Sequence, residues 1–218
     1  MDKQPHLQTK GEERFNVISH VFGVILGIIA IILFSKVSLE HKNLCGLISG
    51  IVFGISIVLL YAMSSIYHGL EPNTKGKKAF QILDHCSIFL QIAGAYTPFA
   101  LCILRQYNPT FGWAVFGIIW VVSIIGIILN IKDFQKYKKI SLICYIAMGW
   151  SVVIRVNVLF SYLGKIGSIL LVAGGISYSI GVIFYVFGKK YKWLHGMFHI
   201  ACVLASILHI ACVYLYVL

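Results

Sequence analysis

The chain has 218 residues, of which 59% are hydrophobic and 11% are charged, and its mean hydropathy is +0.89. A soluble domain carries about 25% charged residues, so this composition excludes an ordinary soluble fold and predicts a membrane protein. The formal net charge of +11 does not indicate a nucleic-acid partner, because the lysines and arginines stand in short loops between apolar runs, which is the pattern of membrane topology.

Residues 1–15 are polar and of mixed charge, and we predict a cytoplasmic N-terminal segment there, followed by a single transmembrane domain over 16–218. Seven apolar runs occupy nearly all of that domain, and each reaches the roughly 20 residues that cross a bilayer as a helix. Their predicted bounds are 16–36, 44–68, 80–104, 111–131, 140–160, 166–187 and 193–217. The predicted fold class is an all-α integral membrane protein, a bundle of seven transmembrane helices in the cell membrane.

The distribution of lysine and arginine predicts the orientation of this bundle. Thirteen of them fall in the N-terminus and in the loops after the second, fourth and sixth runs, whereas five fall at the opposite ends of the runs. Loops rich in positive charge stay in the cytoplasm. The N-terminus is therefore predicted inside and the C-terminus outside.

Two further features of the apolar runs are interpreted as structural. The six cysteines are scattered and none forms a C-x-x-C pair, so neither a disulfide framework nor a thiolate zinc site is indicated. The sixth run is rich in small residues, among them Gly174, Ser177 and Gly181. Small residues let membrane helices approach each other closely, so this run is predicted to pack tightly.

Three apolar runs carry polar side chains at the end that this orientation places near the cytoplasm. The second run ends with Ser64 and His68, and the third begins with Asp84, the only acidic residue inside any run. The seventh run begins with His195 and His199. Ionisable groups inside membrane segments are costly and usually have a function or a partner. We expect these five side chains to lie at a similar depth.

The histidines of this group have the spacing of metal ligands. His195 and His199 are one helical turn apart, so their side chains rise from one face of the helix, and two such imidazoles can bind one metal ion. His68 is the best third ligand because it lies at the matching depth. Three histidines with an open fourth position are typical of catalytic zinc, so the sequence favours a Zn²⁺ site here.

Each residue of the group also has a plain structural interpretation, which the sequence leaves open. Interfacial histidines can simply anchor helices near the headgroups. Asp84 can cap its helix or pair with Lys77 or Lys78, and Ser64 can bond its own helix backbone.

Two other histidines are set aside. His85 is expected to point away from Asp84, the residue that precedes it. His209 lies fourteen residues after His195, about 21 Å along a helix, which is too far for the two to share one ion.

Four motifs resemble the hemolysin III family of bacterial membrane proteins, which is grouped with the progestin and adipoQ receptors, including the adiponectin receptors. They are "EERFNVISHVFG" near the N-terminus, "SSIYH" at the end of the second run, "ILDHCSIFLQIAGAYTPF" in the third and "HGMFH" at the start of the seventh. Together they extend the resemblance over essentially the whole chain.

The resemblance implies a seven-helix fold with a zinc ion near the cytoplasmic side, bound by His68, His195 and His199. Asp84 would hold or deprotonate the zinc-bound water, and Ser64 would lie beside it. A wider kinship with alkaline ceramidases implies metal-dependent hydrolysis of a lipid amide or ester bond, with membrane lipids as the partners.

The first run adds Glu13, Asn16 and His20, a pattern typical of the bacterial branch of this family. These side chains would hydrogen-bond the metal ligands, or His20 would itself be a fourth ligand. A solvated helix start explains Glu13 equally well, so their role stays open.

Three functions remain in competition on the sequence alone. The leading interpretation is a zinc-dependent hydrolase of membrane lipids. The alternatives are a pore-forming or lytic protein, as the family name suggests, and a non-enzymatic regulator of the membrane with structural zinc. Because the polar residues gather at one end of the predicted bundle, a wide pore is the less favoured interpretation.

Overall fold

A computed structural model describes residues 8–218, and within this range the chain is helical and contains no strand. Its helices are α1 (Lys10–Glu40), α2 (Leu44–Gly69), α3 (Lys75–Pro98), the short α4 (Arg105–Tyr107), α5 (Pro109–Trp150), α6 (Val156–Phe187) and α7 (Leu194–Tyr216). A π-helical turn, Phe99–Leu104, joins α3 to α4, and a 3₁₀ turn, Ser151–Arg155, joins α5 to α6. Of the predicted N-terminal segment, residues 1–7 lie outside the described range, whereas residues 10–15 already belong to α1.

Helices of membrane-spanning length account for most of the described chain. Five helical stretches of residues 8–218 are long and apolar enough to cross a membrane: Lys10–Glu40, Leu44–Gly69, Lys75–Tyr107, Pro109–Phe187 and Leu194–Tyr216. Isoleucine, valine and phenylalanine side chains are exposed over much of their outer surface. A soluble monomer rarely exposes large continuous apolar patches, so this surface faces lipid. The all-α, multi-pass membrane fold is confirmed.

The fourth, fifth and sixth predicted runs are not separate stretches in the structure, because all three lie in the 79-residue stretch Pro109–Phe187. The backbone leaves helical geometry inside it at Asp133 (φ −158°, ψ 89°) and at Gly164 (φ 63°, ψ −174°). The Asp133 carboxylate accepts a hydrogen bond from the backbone N–H of Lys136 at 3.0 Å, which caps the next helical segment at once. The predicted loops are therefore kinks, and residues 8–218 contain five membrane-length stretches rather than seven.

Glycines bring α1 and α2 into close contact. A β-carbon added at Gly23 would overlap the ring of Tyr61, and one added at Gly27 would lie 2.9 Å from the Ile57 side chain. Tyr61 is fully buried. This close contact holds α1 and α2 side by side, with the polar residues of both helices facing α7.

The close packing predicted for the sixth apolar run is confirmed. A β-carbon at Gly174 would overlap the imidazole of His209, and Ser177 donates a hydrogen bond to the carbonyl of Ala201 at 2.8 Å. The small residues of α6 thus pack against α7. All six cysteines are free, and four of them are buried.

Candidate metal centre

The C-terminal end of α2 and the N-terminal end of α7 bring three histidines together. One nitrogen each of His68, His195 and His199 lie within 4.8 Å of one another, and the Nε2 atoms of His68 and His195 are 3.3 Å apart. Two nitrogens bound to one tetrahedral zinc ion at 2.0–2.1 Å are about 3.3 Å apart. The predicted convergence is confirmed, and the spacing fits a metal ion.

Hydrogen bonding orients the ring of His68 toward this centre. Its Nδ1 lies 2.5 Å from a carboxylate oxygen of Glu13, whose other oxygen accepts from Lys77 Nζ at 2.6 Å. A carboxylate can only accept a hydrogen bond, so Nδ1 is the protonated nitrogen and the Nε2 lone pair faces His195. Histidines that bind metals are commonly held in this way by a carboxylate.

Helix α1 closes the site along one face, because Glu13, Asn16 and His20 stand at i, i+3 and i+7. Asn16 is fully buried, with its Nδ2 3.4 Å from Nδ1 of His68. The ring of His20 stacks on that of His199 with centroids 3.7 Å apart. Among the described residues, the group that is close enough to share an ion contains three histidines and does not include His20. Of the two roles that the sequence left open for these residues, contact with the candidate ligands is the one that the structure shows.

Glu12 holds the start of α7 in place. One of its carboxylate oxygens accepts from the backbone N–H of Trp193 at 2.8 Å, and the other accepts from the N–H of Thr9 at 2.8 Å. Trp193 has a left-handed backbone with φ 65°, a conformation that is uncommon for a residue other than glycine. Thr9 and Glu12 form a capping box, so the cap of α1 also fixes the position of His195.

Asp84 and Ser64 lie on the wall of a cavity of about 670 Å³ that His195 and His199 also line. Ser64 is buried, whereas Asp84 is partly exposed. Lys77, one of the partners that the sequence left open for Asp84, pairs with Glu13 instead. Both predicted residues thus share one cavity with two of the candidate ligands.

The expectation that His85 points away from Asp84 is wrong. Nδ1 of His85 lies 3.7 Å from a carboxylate oxygen of Asp84 and donates to the carbonyl of Gln81 at 2.8 Å. Its Nε2 lies 3.3 Å from the hydroxyl of Tyr185. The cavity wraps around this side of α3, so two consecutive residues both reach it.

The cavity is long and runs parallel to the helices. On α3 its lining extends from Gln81 to Tyr96, and on α7 it extends from His195 to His209. Helices α1 and α2 line the end near the histidines, and α5 and α6, which make few contacts with each other, supply most of the remaining wall. Its volume falls within the range of about 300–1,000 Å³ that is typical of small-molecule sites, so the histidines stand at one end of a space large enough for a ligand.

Comparison with known proteins agrees with this architecture. The family model described as Haemolysin-III related matches residues 8–210. The chain is 39% identical to Hemolysin-3 of Bacillus cereus over 207 residues, which is 95% of this chain and 92% of that protein. It is 34% identical to a Hemolysin-3 homolog of Bacillus subtilis (strain 168) over 188 residues, 86% of each chain. It is also 27% identical to the human monocyte to macrophage differentiation factor over 137 residues, 63% of this chain and 55% of that one.

Proposed function

The chain belongs to the haemolysin-III-related family of membrane proteins, and we propose that it is a zinc-dependent hydrolase of amide or ester bonds in membrane lipids. The observation that carries this proposal is the group of His68, His195 and His199, of which the first and last are buried and the last two line one end of a ligand-sized cavity. Neutral imidazole nitrogens are preferred zinc ligands, and three of them leave a position open for substrate or water.

The polar residues of the cavity supply the rest of the proposed chemistry. His68, His195 and His199 would hold the zinc ion, which would supply a Lewis acid and lower the pKa of a water molecule for attack on a carbonyl group. Asp84 is the proposed acceptor of the proton that water loses, because it is the acidic residue that lines the same cavity. Ser64 is proposed to donate a hydrogen bond to the substrate, and the apolar walls take its acyl chain.

Metal content and activity test the proposal together. We expect detergent-purified protein to carry about one zinc ion per chain by elemental analysis, and the His195→Ala variant to lose it. His41→Ala is the matched control, since His41 is the exposed C-cap residue of α1 and should retain the metal. Asp84→Asn is expected to keep the zinc and to lose hydrolysis of a panel of lipid amides and esters. Purified protein without zinc would end the proposal.

We further propose that the chain crosses the cell membrane seven times with its N-terminus in the cytoplasm. The support is the charge distribution of the loops and the length of Pro109–Phe187. At 1.5 Å per residue this stretch is about 120 Å long, enough for three crossings of a hydrocarbon core of about 30 Å with residues left for the turns. The kinks at Asp133 and Gly164 are the proposed turning points of this stretch.

A lytic activity is the second candidate, and the names of the two Bacillus relatives favour it. Release of a trapped dye from vesicles that contain purified protein separates the two candidates. A lytic protein releases dye whether or not His195 is present, whereas we expect the wild type and His195→Ala to leave the vesicles equally intact.

A further inference from the structure

Three polar side chains line the cavity far from the histidine centre. His209 lies ten residues beyond His199 on α7, about 15 Å along the helix axis. Gln91 stands on α3 two turns beyond Asp84, and Tyr178 faces them from α6. The rings of Tyr178 and His209 have centroids 5.7 Å apart. We call these three residues the deep polar site.

Each side chain of the deep polar site is held by the protein at one end. The Gln91 carbonyl oxygen accepts from the Ser56 hydroxyl at 2.8 Å, and the Tyr178 hydroxyl is 2.9 Å from that of Ser206. Nε2 of His209 donates to the carbonyl of Leu171 at 3.2 Å. These hydrogen bonds therefore restrict the orientation of all three side chains.

At the other end, two of these side chains keep unused hydrogen-bonding capacity. Within residues 8–218, Nδ1 of His209 has no hydrogen-bond partner, and Nε2 of Gln91 has none of good geometry, although the Gln91 side chain faces the Tyr178 hydroxyl. Both atoms are buried, and Gln91 is only 4% exposed. Because Nε2 of His209 is the donor, Nδ1 of the neutral ring is an acceptor, whereas the amide nitrogen of Gln91 is a donor. Burying a polar atom without a hydrogen-bond partner destabilises the folded protein. Both atoms therefore indicate that a ligand group binds between them and the cavity.

We propose that the deep polar site binds a hydroxyl group carried on the chain of a lipid-like ligand. A hydroxyl donates one hydrogen bond and accepts others, which matches the acceptor on α7 and the donor on α3 that line the same cavity. Ile88, Ile92, Val182 and Ile183 make the rest of this wall apolar, which suits a hydrocarbon chain. The weak contact between α5 and α6 gives such a molecule a way in from the bilayer.

The binding of a hydroxyl at the deep polar site rests on the proposed function in one respect, namely that the ligand's other polar end lies at the three histidines. Octadecanoate with a hydroxyl at carbon 12 is a suitable probe, because its carboxylate can bind a metal ion and about twelve carbon atoms span the 15 Å to His209. Unsubstituted octadecanoate and the isomer with the hydroxyl at carbon 2 are the comparison probes. Equilibrium binding of each to zinc-loaded protein in detergent is measured.

We expect the wild type to bind the 12-hydroxy chain about tenfold more tightly than either comparison chain, since two hydrogen bonds are gained. Gln91→Leu and His209→Phe should each reduce this preference to less than about twofold. Gln81→Leu, at the other end of the cavity, should leave it unchanged. In His195→Ala, which removes the proposed metal ligand, all three probes should weaken while the preference for the 12-hydroxy chain persists.

Equal binding of the three probes to the wild type would overturn the proposal without any variant having to fold. Survival of the full preference in both Gln91→Leu and His209→Phe would also overturn it. Because the preference is a ratio between probes, it is independent of whether the protein hydrolyses a lipid.

Discussion

Glu13 connects His68 of the candidate metal centre to a lysine, because it contacts His68 with one carboxylate oxygen and Lys77 with the other. Glu13→Gln keeps the shape of this side chain but removes the charge that fixes the His68 tautomer. Loss of such a partner typically weakens metal affinity by about 10–100-fold. We expect a loss of this size for zinc, measured by competition with a chromophoric chelator.

Glu40→Gln is the control for this change, because the Glu40 carboxylate is exposed and lies 4.0 Å from Lys36 at the other end of α1. It should leave zinc affinity unchanged. If Glu13→Gln also binds zinc as tightly as the wild type, the carboxylate does not orient His68.

His20 offers a test of whether the centre has three ligands or four. Its ring stacks on His199 and meets the ring of Tyr61 edge-on, with centroids 4.8 Å apart. His20→Phe preserves these ring contacts while removing both nitrogens. A positioning role predicts that the variant retains about one zinc ion per chain by elemental analysis, and loss of the metal with the fold intact would make His20 a ligand.

At the level of residues, the sequence was sufficient to predict that the three histidines converge, but not what surrounds them. The i, i+4 spacing of His195 and His199 and the depth of His68 predicted their convergence without a structure. The contact between Glu13 and His68 joins residues 55 positions apart and depends on how far α1 is rotated about its axis. The spacing of Glu13, Asn16 and His20 defines a face, but it does not say which helix that face meets.

Among the helix contacts, the approach of α1 to α2 depends on a missing side chain. A β-carbon at Gly23 would overlap the ring of Tyr61, which in turn touches His20 and hydrogen-bonds Ser206 at 2.7 Å. Forcing extra atoms into such a contact costs about 1–3 kcal/mol. Gly23→Ala should therefore lower the midpoint of thermal unfolding in detergent, by about 2–4 °C for each kcal/mol.

The matched control for this contact is Gly117→Ala, because a β-carbon at Gly117 meets no atom of the described residues within 4 Å. Alanine is the better helix former, so this variant should unfold at the same temperature as the wild type or higher. If Gly23→Ala unfolds at the same temperature as Gly117→Ala, the close approach of α1 to α2 does not contribute to the stability of the protein.

The helix bounds show which features of an element can be read from a sequence. The bounds of α2 and α7 follow from the apolar runs to within one residue, because polar or turn-forming residues interrupt the chain on both sides. By contrast, α1 begins at Lys10, six residues before its predicted run, because Thr9 and Glu12 cap the polar segment as helix, and it ends at Glu40, four residues after that run. Between Asp133 and Lys139 there is neither glycine nor proline, so a charged segment that predicted a loop continues as helix. Charge alone does not end a helix, and the side chain of Asp133 starts the next segment where the previous one stops.

For the whole molecule, polar groups that could bind a metal ion are concentrated at one end of the cavity, whereas most of the remaining lining could hold an apolar chain. The histidines lie where α2 and α7 meet α1, so a metal ion there would be enclosed by three helices. The remaining length of the cavity is mostly apolar and ends at the deep polar site. A molecule held along it would place one polar end at the metal and its chain between α5 and α6.

The side of the membrane on which the histidine centre opens depends on the path of Pro109–Phe187. If this stretch crosses three times, residues 136 and 165 lie on opposite sides, because the kinks at Asp133 and Gly164 are turning points. Lys136→Cys and Lys165→Cys, each made in a cysteine-free background, test this with a membrane-impermeant maleimide on intact cells. We expect labelling of Lys165→Cys without lysis and of Lys136→Cys only after lysis, since the loop with four lysines is retained in the cytoplasm. Labelling of both on intact cells would mean that the stretch does not turn at these kinks, and it would remove the basis for placing the centre at the cytoplasmic face.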